Sequence, residues 1–194
     1  MSFENLKDIE KEVQQCKSCP LYISRNNVVF SDGSNKAKIM LIGEAPGADE
    51  DKQGKPFVGR AGKLLNEFLK LAGINRNEDL YIANTIKCRP PENRKPAKEE
   101  KAACERFLQA QINTVKPKII VLCGATAMES FLDKKLKISK VRGEFFENIK
   151  GYEGIKFIPI LHPSYLLRQH STETGSPRDL TLKDLIKIKK TALI

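Results

Sequence analysis

The sequence predicts an α/β protein in which a parallel sheet lies between helical layers. Three observations carry this. Short apolar runs at 38–42, 80–83, 118–122 and 156–160 have the uniform hydrophobicity of strands covered on both faces. Helical patterns separate the runs, which is the alternation that builds a parallel sheet. Three of the runs end in loops, at Gly43, Asn84 and His162, that meet on one edge of the sheet, where open α/β folds hold their ligands.

In chain order, Phe3, Leu6, Ile9 and Val13 recur at helical spacing over 3–15 and deliver the chain to Cys16. Pro20 ends regular structure. Residues 21–37 read as strand fragments and turns, Ser31–Asn35 being the clearest turn. After the first strand comes a glycine-rich loop, 43–59, with Pro46, Pro56, several acids and an exposed-looking Phe57. A helix over 60–72 follows, built on Leu64, Leu65, Phe68, Leu69 and Leu71, with Gly73 at its C′ position. The strand at 80–83 ends at Asn84 and opens into a proline-rich loop carrying Arg89 and Arg94. A helix over 97–114 bears Cys104 and stops before Pro117. The strand at 118–122 leads to Cys123, Gly124 and a short helix near 125–132. Residues 133–154 read as a loop and a β-hairpin turning at Lys150-Gly151, and the last strand empties into His162–Arg168. Residues 171–178 are polar. Thr181 with Asp184 resembles a capping box for the final, lysine-rich helix. No repeat or boundary divides the chain, so a single domain over 1–194 is expected.

No apolar run approaches the roughly 18 residues of a membrane span, and Met1–Asn5 lacks a basic-then-apolar leader pattern. A cytoplasmic protein without a membrane partner is expected. The net charge of +10, from 34 basic and 24 acidic side chains, favours a polyanionic partner, because neutralising phosphates releases counterions. A lysine-rich solubilising surface is the simpler alternative.

Five cysteines inside a cell argue against a disulfide framework. Cys16 and Cys19 form a C-x2-C pair, Cys88 sits in the proline-rich loop and Cys104 on the helix after it. Two such pairs suit a metal centre, either tetrahedral zinc or an iron–sulfur cluster, and spacing does not choose between them. Cys123, alone in an apolar strand, reads as core packing.

Gly43-Glu44-Ala45-Pro46-Gly47, the Gly-Lys-Pro-Phe-Val-Gly segment at 54–59, Asn84, the four cysteines and His162-Pro163-Ser164-Tyr165-Leu166-Leu167 occur in one order. This set resembles the family 4 uracil-DNA glycosylases, the iron–sulfur branch of their superfamily, over about residues 10–190. The resemblance implies a three-layer α/β/α fold around a four-stranded parallel sheet. It implies a [4Fe–4S] cluster on Cys16, Cys19, Cys88 and Cys104, structural rather than chemical in role. It also implies hydrolysis of the N-glycosidic bond of uracil in DNA, the opening step of base-excision repair.

Residue chemistry agrees with that reading. A base inside a duplex is unreachable and must be flipped into a pocket. Phe57 can stack on it, and the Asn84 amide can pair with the O4 and N3–H edge that separates uracil from cytosine. His162 can donate to O2 of the departing anion, helped by backbone N–H groups of Gly43, Glu44 and Ala45. The best-known branch of the superfamily positions its water with an aspartate where this chain has Ala45, so Glu44, and after it Glu50, are the candidate carboxylates. No lysine in these motifs is read as a Schiff-base nucleophile, Lys55 included, so no strand-cleaving lyase action is expected. Residues 58–161 hold no histidine, so the loop of a branch that bonds covalently to DNA is not expected either. Tyr165, Leu166 and Leu167 are candidates for the wedge that fills the vacated stack, with Ser164 and Arg168 on phosphates. The expected partner is uracil-containing DNA, met as a monomer; a sliding clamp is a candidate partner that no motif identifies. Two rival readings remain at this level: a catalytically silent DNA-binding relative, and an electron-transfer protein using the cluster.

Overall fold

Strands pair in the order β1-β3-β2-β4-β5 in a computed structural model that describes residues 3–193. Met1 and Ser2, the start of the stretch read for a leader, and Ile194 lie outside the described residues. Strands β2 (Ile39–Gly43), β3 (Leu80–Asn84), β4 (Ile119–Cys123) and β5 (Lys156–Ile160) are mutually parallel and are the four expected from sequence. The two-residue β1 (Asp32–Gly33) adds an antiparallel edge beside β3, within the stretch read only as a turn. So short a strand carries no periodic signal. Pro159 is tolerated because β5 is the outer strand, bonded in the sheet to β4 alone.

Side-chain alternation along the strands makes the layers. Leu41, Ile82, Val121 and Ile158 face α3 (Arg60–Leu71) and α8 (Pro177–Ala192), packing against Leu65, Leu69, Leu185 and Ile188. Met40, Ile42, Tyr81, Ile120, Leu122 and Phe157 face Leu108 and Ile112 of α4 (Lys98–Val115), with α5 (Ala125–Met128) and α6 (Ile138–Val141) beside it. Each such aliphatic side chain, fully buried, stabilises the fold by about 1.5–3 kcal/mol. A third cluster docks α1 (Leu6–Gln14) on α4 through Ile9, Val13, Leu21, Phe30, Ile86 and Phe107, and it includes Cys88 and Cys104. Gly73 ends α3 as expected: at φ +70° its N–H reaches the Lys70 carbonyl, while that of Ile74 reaches Leu69.

Two expectations change. Helix α8 begins at Pro177, one turn earlier than the proposed capping box. Ser176 caps it by accepting the Asp179 N–H, and proline at the first position needs no partner for a missing N–H. Thr181 instead donates inward to the Pro177 carbonyl, and Asp184 is buried against Arg142. The hairpin expected within 133–154 is reduced to one antiparallel bridge between Phe146 and Phe157. Phe131 and Tyr152 close on Phe157 at centroid distances of 5.3 and 5.4 Å, so the segment packs on the sheet rather than on itself. The helix after β4 is also shorter than expected, ending at Met128.

Helix α3, which follows β2, covers one face, and α4, which follows β3, covers the other. The chain therefore leaves the sheet in opposite directions around β2, opening a crevice at the carboxyl ends of the strands. Helices α2 (Ala48–Gln53) and α7 (Pro163–Leu166) stand at its rim.

Gly62 of α3 lets the loop carrying Phe57 lie against the helix, since a Cβ there would stand 2.0 Å from the Phe57 carbonyl oxygen. Gly62→Ala is expected to cost about 1–3 kcal/mol, read as a lower Tm. An unchanged Tm would contradict this packing.

Candidate active site

Strand β2 ends at Gly43, and the chain beyond it stays zipped to the continuation of β3. Thr85 N–H donates to the Gly43 carbonyl (2.9 Å), and both Thr85 Oγ1 (2.6 Å) and Ile86 N–H (3.3 Å) donate to the Glu44 carbonyl. The Glu44 backbone is thus fixed; Glu44 is half-buried, its carboxylate accepts no hydrogen bond among the described residues, and the residue lines a cavity of about 270 Å³. Phe57, Asn84 and His162, from three distant parts of the chain, line the same cavity.

Phe57 is not the exposed residue its loop suggested; it is 7% exposed. Its ring lies on Gly43, where an added Cβ would come within 2.7 Å of it and within 2.5 Å of Asn84 Oδ1. Only a glycine lets the ring and the amide meet there. The Phe57 backbone is left-handed, at φ +52°, a strained state that surrounding contacts must hold. Arg76 supplies several of them: it donates to the Pro56 (2.6 Å) and Phe57 (3.1 Å) carbonyls while paired with Asp32. Glu50 supplies others, one carboxylate oxygen accepting the N–H groups of Val58 (2.9 Å) and Gly59 (2.8 Å). Both carboxylates proposed to position water line the cavity; Glu50 braces the loop through one oxygen, and the Glu44 carboxylate accepts no hydrogen bond among the described residues.

Asn84 is the last residue of β3, 2% exposed, opposite Gly43 in the register. His162 caps α7: its Nδ1 accepts the Ser164 N–H (3.1 Å), with Ser164 Oγ 2.7 Å away. An acceptor Nδ1 places the ring proton on Nε2. The ring lies 5.9 Å from that of Phe57, and Gly124 leaves room beside it. Burial pushes the imidazole down to about 4, so it is a neutral donor at physiological pH.

Among the residues assigned to DNA, Tyr165 and Arg168 are exposed, and Leu167 is half-buried. Leu166 departs from the expectation. It is fully buried in the core cluster that includes α3 and α8, because the turn of α7 points it inward. Ser164 is exposed but already partnered with His162. The proline-rich loop reaches the cavity through Pro90, Asn93 and Arg94, the last anchored on Glu100 (2.6 Å).

Cys16, Cys19, Cys88 and Cys104 carry free thiols and line one small cavity, while Cys123 is fully buried in β4. Arg25 donates to Cys88 Sγ (3.2 Å) and to the Cys16 carbonyl (3.0 Å). Among the described residues no three Cys, His, Asp or Glu side chains converge as a single metal ion requires. Four thiols around one space, with cations against them, fit a polynuclear cluster whose ligands stand farther apart. Arg76, Lys87 and Gly62 shape the site yet escaped the sequence reading. Isolated cations and a mid-helix glycine carry no pattern.

Fold and cavity together define an α/β protein with a candidate pocket at the carboxyl edge of a parallel sheet. The Uracil DNA glycosylase superfamily matches residues 30–186. The chain is 49% identical to a type-4 uracil-DNA glycosylase of Thermotoga maritima, over 96% of this chain and 94% of the relative. It is 46% identical to one from Saccharolobus solfataricus (84% and 78%) and 42% identical to one from Archaeoglobus fulgidus (84% and 84%). The chain belongs to the type-4 branch of the uracil DNA glycosylase superfamily.

Because the folded imidazole resists protonation, the unfolded chain takes up a proton at His162 that the folded one refuses between its ordinary 6.5 and about 4. The residue therefore lowers stability as pH falls through that window and has no effect above it. NMR of the ring is expected to show a neutral Nε2–H form down to about pH 5; a titration near 6.5 would contradict the assigned tautomer and burial.

Proposed function

We propose that the chain is a monofunctional uracil-DNA glycosylase of base-excision repair. The observation that carries this reading is the convergence of Phe57, Asn84 and His162 on one cavity of about 270 Å³, which has room for a pyrimidine. Flipped uracil stacks on Phe57. The Asn84 side chain accepts N3–H and donates to O4. Cytosine presents an amine and a bare ring nitrogen to the same amide, leaving buried groups unpaired.

The reaction breaks the C1′–N1 bond. The electron pair leaves with uracil, and positive charge develops on the sugar. Neutral His162 donates Nε2–H to O2, stabilising the departing anion without transferring its proton. The zipped backbone at Gly43–Ala45 gives the pocket floor a fixed shape. Glu44, whose carboxylate is free, holds the water that adds to C1′; that water's proton passes to the carboxylate or solvent, and an abasic site remains. Tyr165 and Arg168, exposed beside the cavity, face the strand, and Tyr165 or Leu167 fills the vacated stack.

Cys16, Cys19, Cys88 and Cys104 are the residues that would hold a [4Fe–4S] cluster. When bound, it ties the N-terminal helix, the proline-rich loop and α4 together. The loop that borders the pocket at Pro90–Arg94 is then anchored at Cys88.

Incubation of the cluster-loaded protein with uracil-containing DNA, followed by alkali, is expected to cut the strand at the uracil. Absence of product would defeat the proposal. His162→Ala is expected to slow the single-turnover rate by about 10- to 1000-fold, and an unchanged rate would remove His162 from the chemistry. Asn84→Asp is expected to weaken the preference for uracil over cytosine; an unaltered ratio would assign base reading elsewhere.

A further inference from the structure

Lys87 is among the largest fully buried side chains of the described residues, and it carries a charge. Its Nζ donates to the Asn84 carbonyl (2.9 Å) and to Gln111 Oε1 (2.5 Å). The Gln111 amide in turn donates to the Tyr81 hydroxyl (2.9 Å) and the Phe30 carbonyl (3.2 Å), which locks it on α4. No carboxylate pairs with Lys87 among the described residues. An ammonium buried without an anion is costly, and an apolar side chain would fill the volume more cheaply. It lines the small cavity shared by Cys16, Cys19, Cys88 and Cys104, next in the chain to Cys88. Arg25 and Arg106 also approach the cysteines, but both are partly exposed. Lys87 lines the cysteine cavity and also bonds the base-reading strand end at the Asn84 carbonyl.

We propose that Lys87 is a positioning residue that couples the cluster to uracil recognition: its charge is balanced by the thiolates holding the cluster, and its hydrogen bond to the Asn84 carbonyl holds the reading amide in place. The inference rests on the glycosylase and cluster assignments above. It explains why a cluster remote from the reacting bond adjoins the pocket through one buried side chain.

The test compares wild type, Lys87→Met and Lys87→Arg as holoproteins. Three quantities are read: absorbance near 400 nm for cluster content, cluster midpoint potential, and single-turnover excision from DNA holding uracil. Loss of a nearby positive charge makes reduction harder. K87M is therefore expected to show a more negative potential and an excision rate at saturating enzyme lowered by about tenfold or more. K87R is expected to restore the potential but not the full rate, because its forked head cannot keep both hydrogen bonds. If K87M does not load the cluster, full loading of K87R with a near-wild-type potential supports the charge pairing. K87M with wild-type potential and rate, or failure of both variants to load, overturns the inference. Wild-type protein that excises no uracil defeats the glycosylase reading instead, and the potentials then still judge the pairing between Lys87 and the cluster.

Discussion

The site depends on one close approach, that of the Phe57 ring to the end of β2 at Gly43. Any side chain at 43 would collide with both the ring and the Asn84 amide, so the missing Cβ is what allows the two groups to share a wall. The approach requires a left-handed backbone at Phe57, which costs on the order of 1–3 kcal/mol. Arg76 and Glu50 offset that cost by occupying the carbonyls and N–H groups the distorted loop leaves open. One of the acids read in the sequence as a candidate carboxylate thereby also serves the scaffold.

Electrostatics divides the molecule into two regions. At the pocket, burial keeps His162 neutral, so in the proposed chemistry it is a preorganised donor to the departing base rather than an acid with a proton to lose. A neutral imidazole also allows α7 to be capped through Nδ1, which fixes the direction of Nε2. Around the cysteines the charges are positive: Arg25 and Lys87 line the cavity of four thiols that would become thiolates on binding the proposed cluster. The two regions meet at residues 84–88, where strand end, buried ammonium and cysteine follow within five positions.

The four parallel strands and the flanking helices were legible because their signals are local and redundant. Every residue of β2, β3 and β4 is buried, so each run is uniformly apolar, and α3 carries its stripe at regular spacing. The motifs at Gly43, Asn84 and His162 were legible as loops at strand ends, and parallel topology alone sends them to one edge. What escaped was set by tertiary partners. Leu166 reads like an exposed wedge until the turn of α7 buries it. Thr181 and Asp184 mimic a cap until Ser176-Pro177 starts the helix a turn earlier. Arg76 and Lys87 gain meaning only from carbonyls far away in the chain.

The central claim is spatial: one slot, three walls and one pyrimidine. A crystal structure of the cluster-loaded protein with free uracil tests it most directly. The account requires the ring to lie flat on Phe57, with O4 and N3–H on the Asn84 amide and O2 facing His162 Nε2. Uracil bound in another crevice, or in this one with its O4 edge turned away from Asn84, would contradict it.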